Sequence, residues 1–163
     1  MKDHVDAVYA MAFTPDGTRL VTGAADRSVK IWNVASGERL YTLSDATDGI
    51  NTVAVSPDGK QVAAAGQDKS IRIWTLGPKE GTLEHTLIAH EDAILKLAWS
   101  PDGKLLASAA ADRTIKIFRA SALTEVRAIA KQPDWAFGLE FAPDSRRLAA
   151  GFFNGQLQIM GVE

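Results

Sequence analysis

Short apolar runs follow one another along the chain, divided by small clusters of turn-forming residues, and no run keeps a helical period. "AVYAMAF" (7–13) leads into "TPDG", "TRLVTGAA" (18–25) into "ADRS", and "SVKIWNV" (28–34) into "ASGE"; "RLYTL" (39–43) completes the set. Runs of this length, rich in Val, Ile, Leu and Ala and bounded by Gly, Pro, Asp and Ser, read as β-strands. They are apolar on both faces more than alternating. A sheet with one wet face would alternate, so the pattern predicts sheets stacked against sheets.

The same sentence is then repeated. "TPDG" at 14–17 returns as "SPDG" at 56–59 and 100–103 and as "APDS" at 142–145, with starts 42, 44 and 42 residues apart. "AADRSVKIW" (24–32) returns as "GQDKSIRIW" (66–74), "AADRTIKIF" (110–118) and the drifted "FFNGQLQIM" (152–160). In the first turn Pro presets φ, Asp favours the next position and Gly takes the positive φ that closes a tight hairpin. Four strands per copy at this period are the signature of propeller blades. The expected fold is therefore all-β: four four-stranded antiparallel blades, at about 4–43, 46–87, 90–130 and 132–163, in one repeat region over 1–163. The two extra residues between the second and third copies fall in "TLGPKEGTLEHTL" (75–87), which reads as a lengthened hairpin between third and fourth strands.

Composition narrows the function. The 163 residues suffice for one domain with a real core, and 46% apolar with 23% charged residues is a globular balance. With 18 basic and 20 acidic residues the net charge is −2, which leaves no footprint for nucleic acid or an anionic membrane. There is no cysteine, so disulfides, thiolate catalysis and cysteine-bound zinc are excluded. No window approaches the roughly 18 apolar residues of a spanning helix, and the start has no signal-peptide stretch. A cytoplasmic protein with no cofactor and no metal is the expectation.

Period, Pro-Asp-Gly turn, turn Asp, spaced His and Trp occur together, and in this the sequence resembles the WD40-repeat family over essentially the whole chain. Trp32 and Trp74 end third strands, followed by Asn33 and Thr75 where the family often has Asp. His4 and His90 sit at the family's His, after Asp3 and Ala89 rather than Gly. The resemblance implies a hydrogen-bonded tetrad in each blade. Carried over by residue, blade one has His4, Thr22, Asp26 and Trp32. Blade three has His90, Ser108 and Asp112, with Phe118 at the Trp position. Blade two keeps Asp68 and Trp74 but has Ala46 and Ala64 in the other places, and blade four (Gln132, Ala150, Asn154, Met160) has lost the set.

His90, Ser108 and Asp112 also spell a hydrolase triad, which would need an exposed nucleophile with oxyanion donors beside it. The same spacing recurs at His4, Thr22 and Asp26, and one active site is not written twice at a repeat offset. The wiring reading is therefore preferred and no catalytic residue is assigned. A second fourfold column, Asp6, Asp48, Asp92 and Asp134, reads as loop-capping acids rather than metal ligands.

The resemblance implies a non-catalytic protein–protein interaction scaffold that docks a protein or peptide on the top face. Matching offsets place Tyr9, Asn51, Gln67, Leu95, Trp135, Phe137 and Phe153 there. The three aromatics of blade four suit either core burial or a docking patch. Four blades are few: at seven per ring, each covers about 51° and four cover about 205°. Met1 aligns with the end of a fourth strand and Glu163 falls before one begins, so fifteen strands are expected and the last is an edge. A piece of a longer propeller is the first expectation. A homodimer pairing through its open ends into eight blades is the second, and a strained four-blade ring the third.

Overall fold

The computed structural model describes residues 3–162, so the expectations that rest on Met1 and Glu163 lie outside the described residues. Fifteen strands form four antiparallel meanders. The first sheet holds β1 (Val8–Phe13), β2 (Arg19–Ala24), β3 (Val29–Asn33) and β4 (Arg39–Leu43). The second holds β5 (Ile50–Val55), β6 (Gln61–Gly66), β7 (Ser70–Leu76) and β8 (Gly81–Ile88). The third holds β9 (Ile94–Trp99), β10 (Leu105–Ala110), β11 (Ile115–Arg119) and β12 (Thr124–Ile129). The fourth has three strands, β13 (Ala136–Phe141), β14 (Arg147–Phe152) and β15 (Leu157–Gly161).

The turn chemistry explains the meander. Gly17, Gly59 and Gly103 take φ of 69°, 71° and 75°, and each amide donates to the carbonyl of the residue three before it. Asp16, Asp58 and Asp102 accept from the hydroxyls of Thr14, Ser56 and Ser100 at 2.6 Å, which pins the turn from inside. In the fourth copy Ser145 adopts φ 58° without glycine's freedom. The lengthened hairpin lies where the spacing puts it, with the Gly77 amide donating to the Glu80 carbonyl between β7 and β8.

The sheets stack in chain order. β1 packs on β5, β5 on β9 and β9 on β13, which makes these the inner strands of an arc. Strands β2, β3, β6, β7, β10 and β11 are buried on both faces, whereas the outermost β4, β8 and β12 alternate because only one side is covered. Three apolar clusters, one per joint between sheets, form the core. The first joint sets Val21 and Ile31 against Val62 and Trp74. The second sets Ala63 and Ile73 against Leu106 and Phe118. The third sets Ala107 and Ile117 against Leu148 and Phe141. The four-blade ring is overturned: the sheets do not close, because Met11 and Phe13 on the first sheet and Leu157 and Ile159 on the last stand exposed.

Candidate functional site

In the first sheet a polar chain runs from strand to turn. Trp32 Nε1–H donates to Thr22 Oγ1 at 2.9 Å, and that hydroxyl donates to His4 Nε2 at 2.7 Å. His4 Nδ1–H then donates to Asp26 Oδ2 at 2.8 Å, since a carboxylate only accepts. Asp26 also receives the Ser28 hydroxyl at 2.6 Å and the amides of Val5 and Ser28. Burial pushes its carboxyl up, but the hydrogen bonds from Ser28, His4 and Val5 outweigh it and hold the pKa at about 2.

The third sheet repeats the chain without its first member. His90 Nε2 lies 2.7 Å from Ser108 Oγ and Nδ1 3.0 Å from Asp112 Oδ2. Phe118 is buried in the indole's place and donates nothing, so the Ser108 hydroxyl lacks the donor that Thr22 has. Burial lowers the pKa of His90, and Asp112 only partly restores it, so the ring is neutral at pH 7. Ser108 is fully buried between two sheets.

In the second sheet Trp74 Nε1–H donates to Asp45 Oδ2 at 2.8 Å. Asp68 pairs with Arg72 Nη1 at 2.6 Å, both side chains about nine-tenths buried, and accepts from the Thr47 amide and hydroxyl. The tetrad carried over from the family omits Asp45 and Arg72, although Asp45 sits at the repeat offset of Asp3 and Arg72 at that of Lys30 and Lys116. It omits likewise Ser28 and Thr114, which brace the turn aspartates at 2.6 Å. Hydroxyls two residues after each turn Asp, in "DRS", "DKS" and "DRT", were the available signal. In the fourth sheet Gln132 is buried, with Nε2 donating to the Ile129 carbonyl and Oε1 unpartnered.

The acid column has one geometry throughout. Asp6, Asp48, Asp92 and Asp134 each accept the amide of the following residue, at 2.7–2.8 Å. Among the described residues no group of three potential ligands could hold a metal, and no helix is long and apolar enough to cross a membrane.

The top-face positions gather where the strands begin. One amide–carbonyl bond closes this end in every sheet: Ala25 to Ala7, Gln67 to Gly49, Ala111 to Ala93 and Phe153 to Trp135. Tyr9, Asn51, Gln67, Leu95 and Phe137, drawn from all four sheets, line one depression of ≈ 270 Å³. Asn51 Nδ2 donates to the Ile94 carbonyl at 2.9 Å, which fixes it between two sheets. Trp135, Phe137 and Phe153 are 46%, 50% and 74% exposed, not core. They stack edge to face, with centroids 6.5 and 6.2 Å apart, and Trp135 Nε1–H is held by the Ala111 carbonyl at 3.0 Å. This is a braced apolar surface that runs, through Phe137, into a hollow lined by Tyr9 and Leu95 with the amides of Asn51 and Gln67.

Comparison with known proteins agrees with this architecture. Single-repeat stretches are similar to Protein Mut11 of Chlamydomonas reinhardtii (45% identical over 42 residues, 26% of this chain and 11% of that protein). They are similar also to periodic tryptophan protein 2 homolog of Mus musculus (43% over 42 residues, 26% and 5%). A third is dynein assembly factor with WD repeat domains 1 of Xenopus laevis (40% over 43 residues, 26% and 10%). The matched stretch thus spans about a tenth or less of each relative. The WD domain, G-beta repeat model matches residues 1–33, 37–75 and 81–119, the second and third matches each starting at the outer strand of the preceding sheet, and the chain belongs to that WD40-repeat family.

Proposed function

We propose that the chain is a non-catalytic scaffold that receives a protein or peptide segment on the top face, with Tyr9, Asn51, Gln67 and Leu95 contacting its backbone and polar groups. Trp135, Phe137 and Phe153 take its apolar side chain. The observation that carries this reading is the exposure of three braced aromatics beside a depression to which all four sheets contribute. Large rigid rings of this kind supply most of the energy in protein interfaces. The setting is cytoplasmic, no cofactor, nucleic acid or membrane takes part, and the open flanks favour a ring that further blades complete. Burial of Ser108, with its hydroxyl engaged by His90, speaks for wiring over hydrolysis.

Selection of binders from a random peptide library tests the reading. Trp135→Ala and Phe153→Ala should weaken the selected peptides by about tenfold or more while Lys104→Ala, at the opposite end of the sheets, leaves them unchanged. Folded variants that bind as the parent does would discard the top-face site. Labelling of Ser108 by a serine-hydrolase probe would return the enzyme reading.

A further inference from the structure

Each joint in the arc is built from the same two unlike faces. A sheet offers its third-strand aliphatics to the next sheet: Val29 and Ile31, Ile71 and Ile73, then Ile115 and Ile117. The next sheet answers with the face that carries its Trp position and two inner-strand side chains: Val53, Val55 and Trp74; Leu97, Trp99 and Phe118; Leu139, Phe141 and Met160. No joint sets two aliphatic faces or two Trp-position faces together.

One face of each kind is left over at the ends. On the first sheet Met11 is paired with Thr22 and Phe13 with Leu20, the registers that Leu97 shares with Ser108 and Trp99 with Leu106. Yet Met11 and Phe13 are 66% and 60% exposed, beside a hollow lined by Met11, Leu20, Thr22 and Trp32. On the last sheet Ile159 is paired with Ala149, as Ile117 is with Ala107. Ile159 and Leu157 are 68% and 70% exposed, whereas Ile31, Ile73 and Ile117 are fully buried. A hollow of ≈ 290 Å³ lies against Glu140, Ala149 and Ile159, at the place where the inner joints seat the equivalents of Phe13.

We infer that these two end faces meet between two copies of the chain, head to tail, with Phe13 and Met11 of one copy entering the Ala149–Ile159 hollow of the other. The occupant follows from continuity with the three joints already present: the surface that matches each open face by register is the open face at the opposite end. The contact is heterologous, so two copies that each give one face and take the other close on themselves. The fourth sheet has three strands among the described residues, so this joint covers less apolar surface than the inner ones and dissolves on dilution.

The inference rests on the reading of an arc completed by further blades and leaves the top-face reading untouched. Light scattering on the eluting 163-residue chain, over a dilution series, should give twice its 17.5 kDa, or a ladder of multiples, falling to one chain when dilute. Met11→Asp and Ile159→Asp each change an exposed residue, so far-UV circular dichroism should show both folded. Each should run as a single chain, and an equal mixture should recover the doubled mass through the one intact joint. Phe13→Glu with Leu157→Glu gives an independent pair should either first variant unfold. A wild-type chain that stays single at every concentration overturns the joint. So does pairing that only one of the two substitutions abolishes, since that marks a face meeting its own copy. Peptide binding measured on the same variants separates the two readings: single chains that still bind top-face peptides defeat the joint alone.

Discussion

In the third sheet His90 ties Asp112 to Ser108 as a neutral ring, its Nε2 on the Ser108 hydroxyl and its Nδ1–H shared between Asp112 and Thr114 Oγ1. In the second sheet the positions of His and Ser are Ala46 and Ala64, and Arg72 reaches Asp68 from the neighbouring strand instead. Both arrangements hold the same turn against the same kind of strand. What is preserved is a saturated carboxylate in a buried corner, and the donor is exchangeable. The difference is in the penalty for failure: a neutral chain loses hydrogen bonds, while a buried ion pair that loses its cation strands a charge.

Removing Arg72 should therefore cost the most. Arg72→Ala leaves the Asp68 carboxylate with only the Thr47 and Ser70 donors, and chemical denaturation should show a loss of about 3 kcal/mol. A loss no larger than that of Asp112→Ala would break the contrast between the two sheets.

Asp112→Ala and Asp26→Ala should each cost about 1–3 kcal/mol, read the same way, because each removes the carboxylate that accepts from the histidine N–H and from the turn's hydroxyl and amides. The acid response sharpens the contrast. His90 titrates below its ordinary 6.5 in the fold, so the unfolded chain binds the proton more readily. Its contribution is complete above pH 6.5 and is lost as pH falls below that value. Asp26, held at about 2 against 3.8, keeps its contribution above pH 3.8 and loses it as pH falls toward 2. Thermal midpoints should decline as pH falls below 6.5 for the wild type, and His90→Asn should flatten that decline. An unchanged slope would show that His90 is not the group that titrates.

These residues also mark how far the sequence could be read. Strand order, sheet count, turn positions and the lengthened hairpin were legible because each depends on local rules repeated at a fixed period. The chain His4–Thr22–Asp26 was legible by offset because its members stay at their repeat positions. Asp45 and Arg72 were not, because the tetrad names neither position: Asp45 stands one place before the vacated Ala46, at the offset of Asp3, and Arg72 stands across from Ala64, at the offset of Lys30 and Lys116. The one particular signal was Arg in "SIRIW" where "SVKIW" and "TIKIF" have Lys, in the copy that lacks the histidine. Exposure of Trp135, Phe137 and Phe153 was undecidable from type alone, since rings of that size serve cores and interfaces equally.

Trp32→Phe converts the first sheet to the third sheet's arrangement. It removes the indole N–H that Thr22 accepts and keeps most of the apolar volume, so the cost should be about 1 kcal/mol in denaturation. The reverse change, Phe118→Trp, adds a donor beside the Ser108 hydroxyl but also bulk in a closed joint, and should gain nothing. A Trp32→Phe loss as large as that of Asp26→Ala would mean that the indole, not the turn carboxylate, anchors the corner.

The smallest effect concerns the turn itself. Arg27, Lys69 and Arg113 hold φ of 66°, 65° and 59°, a region where a side chain crowds its own backbone, whereas the fourth sheet places Gly155 there at 84°. The fourth sheet reverses the pattern of its siblings, with glycine in this turn and Ser145 in the one before it. Arg27 is exposed, so Arg27→Gly relieves the crowding without opening a cavity. Glycine's greater freedom in the unfolded chain offsets part of that relief. The balance should be a gain below about 1 kcal/mol, seen as a small rise in thermal midpoint. A fall instead would show that the four hydrogen-bonded donors on Asp26 already set this turn, so that its side chain's strain costs the fold nothing.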